Sequence, residues 1–69
     1  MRLSARNQLS GTIASIDVGS VMTIVKVDIG GGQRITSSIT KDAVEDLGLA
    51  VGAPVTVVIK STEVMLGVE

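Results

Sequence analysis

Apolar and polar residues alternate along most of this chain. The period is the two residues of a half-buried strand, not the 3.6 of a helix. Leu9, Gly11 and Ile13 alternate with Ser10, Thr12 and Ala14, which predicts a first strand over residues 9–16. Gly19-Ser20 supplies a turn. A second strand follows over residues 21–29, with Val21, Val25, Val27 and Ile29 on one face and Lys26 and Asp28 on the other. Gly30-Gly31-Gly32 then reverses the chain, since glycine reaches positive φ without steric cost. The alternation resumes over residues 34–39, where Ile35, Ser37 and Ile39 share a face. Pro54 precedes a fourth strand over residues 55–60, a position where its missing N–H is tolerated. A short fifth strand is read over residues 63–68.

The period changes once, over residues 41–47. There Ala43, Val44 and Leu47 form a small apolar stripe at helical spacing. Thr40 is a suitable N-cap, Asp42 and Glu45 lie near the positive end, and Gly48 stands where a left-handed C-cap belongs. The order is three strands, one helix and two strands. That predicts an all-β fold with one short helix, a five-stranded OB-like barrel in the order βββαββ. Eighteen of the 69 residues are Val or Ile, which favours strands. Residues 1–69 read as a single domain, with no internal repeat and no linker.

Composition turns attention to assembly. A 69-residue domain buries a small fraction of its surface and usually needs a disulfide, a structural metal or a partner. The chain has no Cys and no His, which removes the first and weakens the second. Apolar residues make up 45% and charged residues only 19%, so a partner subunit is expected to cover the excess. An exposed edge strand in a monomer points the same way. No stretch approaches a membrane helix, and the first six residues lack a signal-peptide core, so the cytoplasm is the expected compartment and no membrane partner is expected. With a net charge of −1 and no Phe, Tyr or Trp, nucleic acid is not an expected partner either.

Without His or Cys there is no general base or nucleophile of the usual kind, and no enzyme is expected. Asp42, Glu45 and Asp46 cluster on a helix face that reads as solvated surface. The three glycines lack the Gly-Lys-Ser/Thr spacing of a phosphate loop. Three other segments are rich in hydrogen-bond donors. Ser4-Ala5-Arg6-Asn7-Gln8 leads into the first strand, Lys60-Ser61-Thr62 follows the fourth, and Ser37-Ser38-Ile39-Thr40 leads into the helix. None contains an acid. A tetrahedral oxyanion, which only accepts, suits such an inventory. Taken singly, Arg6 and Lys60 also fit ordinary surface charges, and Thr40 an ordinary cap.

Ser4-Ala5-Arg6-Asn7-Gln8-Leu9 followed by Gly11 resembles the opening of the molbindins, a block shared with molybdate-sensing domains of bacterial regulators and some importer ATPase tails. Ser38-Ile39-Thr40, Leu47-Gly48-Leu49 with Val51-Gly52, and Ile59-Lys60-Ser61 resemble that family in order and spacing, so the likeness runs from Ser4 to Val68. The resemblance implies an OB-like fold, molybdate or tungstate as ligand, no catalytic cofactor, and a homohexamer built as a trimer of dimers with oxyanion sites between subunits. By matching positions it implies Ser4, Arg6, Lys60 and Ser61 as ligands, then Thr40 and the backbone N–H around Ala43. Some relatives carry a hydroxyl where Ala43 stands, and Val18-Gly19-Ser20 departs from the acidic or amide turn of most members. The expected function is a cytoplasmic molybdate or tungstate store or buffer. The alternatives are a nucleic-acid- or ribosome-associated OB module, or an oxyanion-responsive accessory subunit of a molybdate transporter or regulator.

Overall fold

The structure, a computed structural model, describes residues 1–69. Its elements are β1 (Asn7–Val18), β2 (Met22–Gly30), β3 (Gln33–Thr40), α1 (Lys41–Leu47) and β4 (Pro54–Ile59), followed by a 3₁₀ turn, Ser61–Glu63. The strands form one antiparallel sheet in the order β3-β2-β1-β4.

The predicted alternation is the pairing face. Ile13 of β1 stands opposite Val27, and Val27 opposite Ile35 of β3. Ile13, Val25 and Val27 are the buried core, and Ile16, Ile29, Ile39, Val44, Leu49, Val55 and Val57 pack around them. A bulge interrupts β1 between Ile13 and Ser15. One extra residue there moves the inward phase from odd to even positions. Ile16 thus faces Val25 and not solvent. At the bulge Ile13 also bonds the chain before β4, donating to Ala53 O at 3.0 Å and accepting from Gly52 N at 2.8 Å. Gly31 and Gly32, at φ of 63° and 75°, make the tight turn between β2 and β3. Asp28 Oδ1 accepts from Gly30 N at 2.9 Å at its entrance.

The helix follows its caps. Thr40 Oγ1 accepts from Ala43 N at 3.1 Å. At the other end Gly48 adopts φ 62°, and the Gly48 and Leu49 amides donate to Glu45 O and Val44 O, closing a Schellman motif. Lys41 N donates to Val21 O at 2.8 Å, which ties the helix start to the β1–β2 turn.

Five expectations are corrected. Residues 63–68 form no strand: a strand needs a ladder partner, and after Glu63 no element of the same chain pairs with them. The order is therefore βββαβ, and the sheet has four strands and is not closed into a barrel. Val21 lies outside β2 and is exposed, because the turn extends to it, and Lys60 lies outside β4 as the cap of the 3₁₀ turn. Leu47, expected on the apolar stripe, is 69% exposed, since the helix sits over one end of the sheet only.

Candidate functional site

The start of β1 and the end of β4 come together through the β1–β4 register. Asn7 pairs with Ile59, and the Asn7 Nδ2 donates to Ile59 O at 3.1 Å. The ladder ends at that pair, and Arg6 and Lys60 are the next residue beyond it on each chain segment. Gln8 Nε2 donates back to Ala5 O at 2.9 Å, which folds the chain over the bend at Arg6. Both amides of the polar block are therefore occupied in shaping it. Ser4, Arg6, Lys60 and Ser61 are exposed at this end of the sheet. None of them takes part in the four side-chain hydrogen bonds of the chain. Glu63, in the same 3₁₀ turn as Ser61, is the acid closest in sequence.

Two cations and two hydroxyls flanking the end of one ladder make a candidate donor patch. Arg6 presents a planar fork and Lys60 a point charge, and neither can accept a hydrogen bond. Their mutual repulsion is relieved by an anion. No group of three His, Cys, Asp or Glu side chains is placed to hold a metal cation.

Thr40 and Ala43 lie elsewhere. Thr40 pairs with Met22, and Val18 at the end of β1 pairs with Thr23. They belong to the opposite end of the sheet from Asn7. β1 has 12 residues, and at about 3.3 Å per residue a straight strand of that length spans roughly 35 Å. A single chain thus has four of the six candidate residues at one end of the sheet and two at the other. At their own end, Thr40 lines a cleft of about 210 Å³ with Ser20, Val21, Lys41 and Asp42. The Ala43 N–H is committed to the Thr40 oxygen, whereas the Thr40 hydroxyl hydrogen is still free to donate. Sequence reading did not single out Ser20 or Lys41. The register of β2 with β3, which shifts by one between Asp28 and Gly30, sets Met22 against Thr40 and brings the Ser20 turn beside the helix start.

Comparison with known proteins places this geometry. The TOBE domain family matches residues 3–66. A probable molybdenum-pterin-binding protein of Haemophilus influenzae is 51% identical over 69 residues, covering all of both chains. The structure of MopII from Clostridium pasteurianum superposes with a TM-score of 0.91 at 46% identity, over 97% of this chain and 100% of that one. The cytoplasmic molybdate-binding protein ModG, solved with molybdate bound, gives a TM-score of 0.94 at 49% identity, over 100% of this chain and 49% of that one.

Proposed function

This chain belongs to the TOBE-domain family, alongside the small molybdenum-pterin-binding proteins, and from that membership we propose that it binds molybdate and tungstate as a cytoplasmic store or buffer and catalyses nothing. The observation that carries the reading is the donor patch of Ser4, Arg6, Lys60 and Ser61, which has no hydrogen-bond partners of its own. A tetrahedral dianion offers acceptors to all four groups. Hydrogen bonds to a charged partner contribute about 1.5–3 kcal/mol each, more than neutral ones.

The separation of Thr40 from this patch supports a reading in which the two groups come from different copies. In this reading a site forms where the Arg6–Lys60 end of one chain meets a neighbour, and Thr40 donates its hydroxyl hydrogen across the interface. Ala43 contributes indirectly, by holding the Thr40 oxygen. The assembly is a hexamer built as a trimer of dimers. Burial between copies strengthens each charge–charge interaction by lowering the local dielectric.

Native mass spectrometry with and without molybdate tests the reading, with six subunits and bound oxyanions expected together. Competition at neutral pH refines it. Tungstate should displace molybdate as an equal, sulfate more weakly because it is smaller, and phosphate most weakly. Phosphate carries a proton that meets few acceptors in a donor-lined site, at a cost of about 1–3 kcal/mol. Displacement by phosphate as ready as by tungstate refutes the donor-lined site.

A further inference from the structure

Both carbonyls that flank the Lys60 Cα are occupied. The Ile59 carbonyl, on the peptide before it, accepts from Asn7 Nδ2 at 3.1 Å across the end of the β1–β4 ladder. The Lys60 carbonyl, on the peptide after it, accepts from Glu63 N at 2.9 Å in the 3₁₀ turn. A peptide unit is planar, so holding both carbonyls fixes the direction in which the Lys60 side chain leaves the backbone. On the other segment Gln8 Nε2 donates to the Ala5 carbonyl at 2.9 Å, on the peptide before Arg6. The peptide after Arg6 runs into Asn7, the first residue of β1.

The two amide bonds share a design. Of the four side-chain hydrogen bonds in the chain, one braces the glycine turn and one caps the helix. The other two each run from an amide side chain to the carbonyl of the residue just before a candidate cation. They differ in setting. Asn7 is half-buried and reaches across 52 residues, whereas the Gln8 bond is exposed and spans three. Water competes for an exposed bond, so Asn7 imposes the stronger constraint.

We infer that Asn7 and Gln8 are positioning residues of the proposed oxyanion site, Asn7 acting through Lys60 and Gln8 through Arg6. Neither amide touches the ion. Each holds the backbone from which one cation projects, so that cation is oriented before the anion arrives and less freedom is lost on binding. Lys has a flexible four-carbon stem, so it gains most from a fixed base. The inference rests on the proposed molybdate site for its effect on affinity. The ordering of the two backbone segments rests on the hydrogen bonds alone.

Molybdate calorimetry on the full-length chain, in double-mutant cycles, tests the assignment. Groups that orient a ligand-holding side chain contribute about 10–100-fold in affinity at metal sites, so Asn7→Ala should weaken binding about tenfold and Gln8→Ala by a smaller factor. In a Lys60→Ala background Asn7→Ala should have almost no further effect, and in an Arg6→Ala background it should keep its effect. Gln8→Ala should show the reverse. Asn7→Ala keeps every charge, so its binding should depend on salt as the wild type does, whereas Lys60→Ala should flatten that dependence. This comparison decides where Lys60→Ala binds too weakly to titrate. Without oxyanion, backbone amide relaxation by NMR should show added motion at the Lys60 amide in Asn7→Ala and at the Arg6 amide in Gln8→Ala. Effects that add in all four combinations mark a direct ligand or a general loss of fold and overturn the inference. So does a Lys60 amide unchanged in ligand-free Asn7→Ala. If Asn7→Ala does not fold, the exposed Gln8 bond carries the same test through Arg6. A wild-type chain that takes up no molybdate refutes the binding proposal, and the ligand-free relaxation then decides by itself whether the amides order the two cations.

Discussion

At Gly11 two strands approach as closely as backbone allows. A Cβ there would lie 2.6 Å from Val27 Cγ1 and 2.7 Å from Asp28 O, and the carbonyl cannot retreat without loosening the β1–β2 ladder. Gly11→Ala should therefore destabilise by about 1–3 kcal/mol, read as a lower urea midpoint. Thr23 carries the opposite opportunity. Its side chain is fully buried, and its hydroxyl has no partner. Thr23→Val keeps the shape and removes the unsatisfied group, so a gain of about 1 kcal/mol is expected in the same assay. A loss would mean that the hydroxyl finds a partner in the assembly. For the candidate site, Arg6→Ala or Lys60→Ala should weaken molybdate binding by about 2–5 kcal/mol. The unliganded fold should change by under about 0.5 kcal/mol. Unchanged affinity in both variants, measured calorimetrically, would remove them from the site. The candidate residues were picked out in the sequence because Arg6, Lys60 and their hydroxyls stand in donor-rich segments that contain no acid. The work of Asn7 and Gln8 was not, because an amide that bonds a carbonyl 52 residues away reads the same in sequence as one that meets a ligand.

The helix illustrates how far local signals reach. Thr40 at its start and Gly48 at its end were both readable, and both act as read. Thr40→Ala should cost about 1 kcal/mol of stability through the lost cap. In the proposed site it should also reduce molybdate affinity. Thr40→Ser keeps the capping oxygen and should preserve both, so a Ser variant as damaged as Ala would argue that the methyl group and its packing matter more. The two strands of the glycine hairpin were legible for the same local reason, since alternation and turn chemistry act over a few residues. β1 was under-read at both ends, where polar Asn7, Gln8 and Asp17 pair despite their side chains. Its bulge shows in sequence only as Ile13 and Ile16 falling three apart. The fifth strand failed for a different reason. Residues 64–68 have strand composition, but a strand is defined by its neighbour, and no strand of this chain pairs with them.

Only four of 69 residues are buried in the isolated chain, and the exposed set includes Val21, Met22, Val51 and Val58 besides the tail. In the proposed assembly the chain draws its stability from association, so its melting temperature should rise with protein concentration, by differential scanning calorimetry over a hundredfold dilution. A concentration-independent transition would mark a self-sufficient monomer. The small buried fraction was legible in the sequence, from a short chain of high apolar content without Cys or His. The split of the candidate residues between two ends of the sheet was not, because it follows from the pairing of β1 with β4. That pairing has a temporal consequence too. β1 and β4 are the first and last strands of the sheet, so their ladder is the most non-local contact in the chain. The β1–β2–β3 meander can form while later residues are still being synthesised, but the outer edge of β1 stays bare until residue 59 has emerged. Closing so long a loop is the slow step of such topologies. The Arg6–Lys60 patch, set by the far end of that ladder, is thus among the last parts of the molecule to exist during its own biosynthesis.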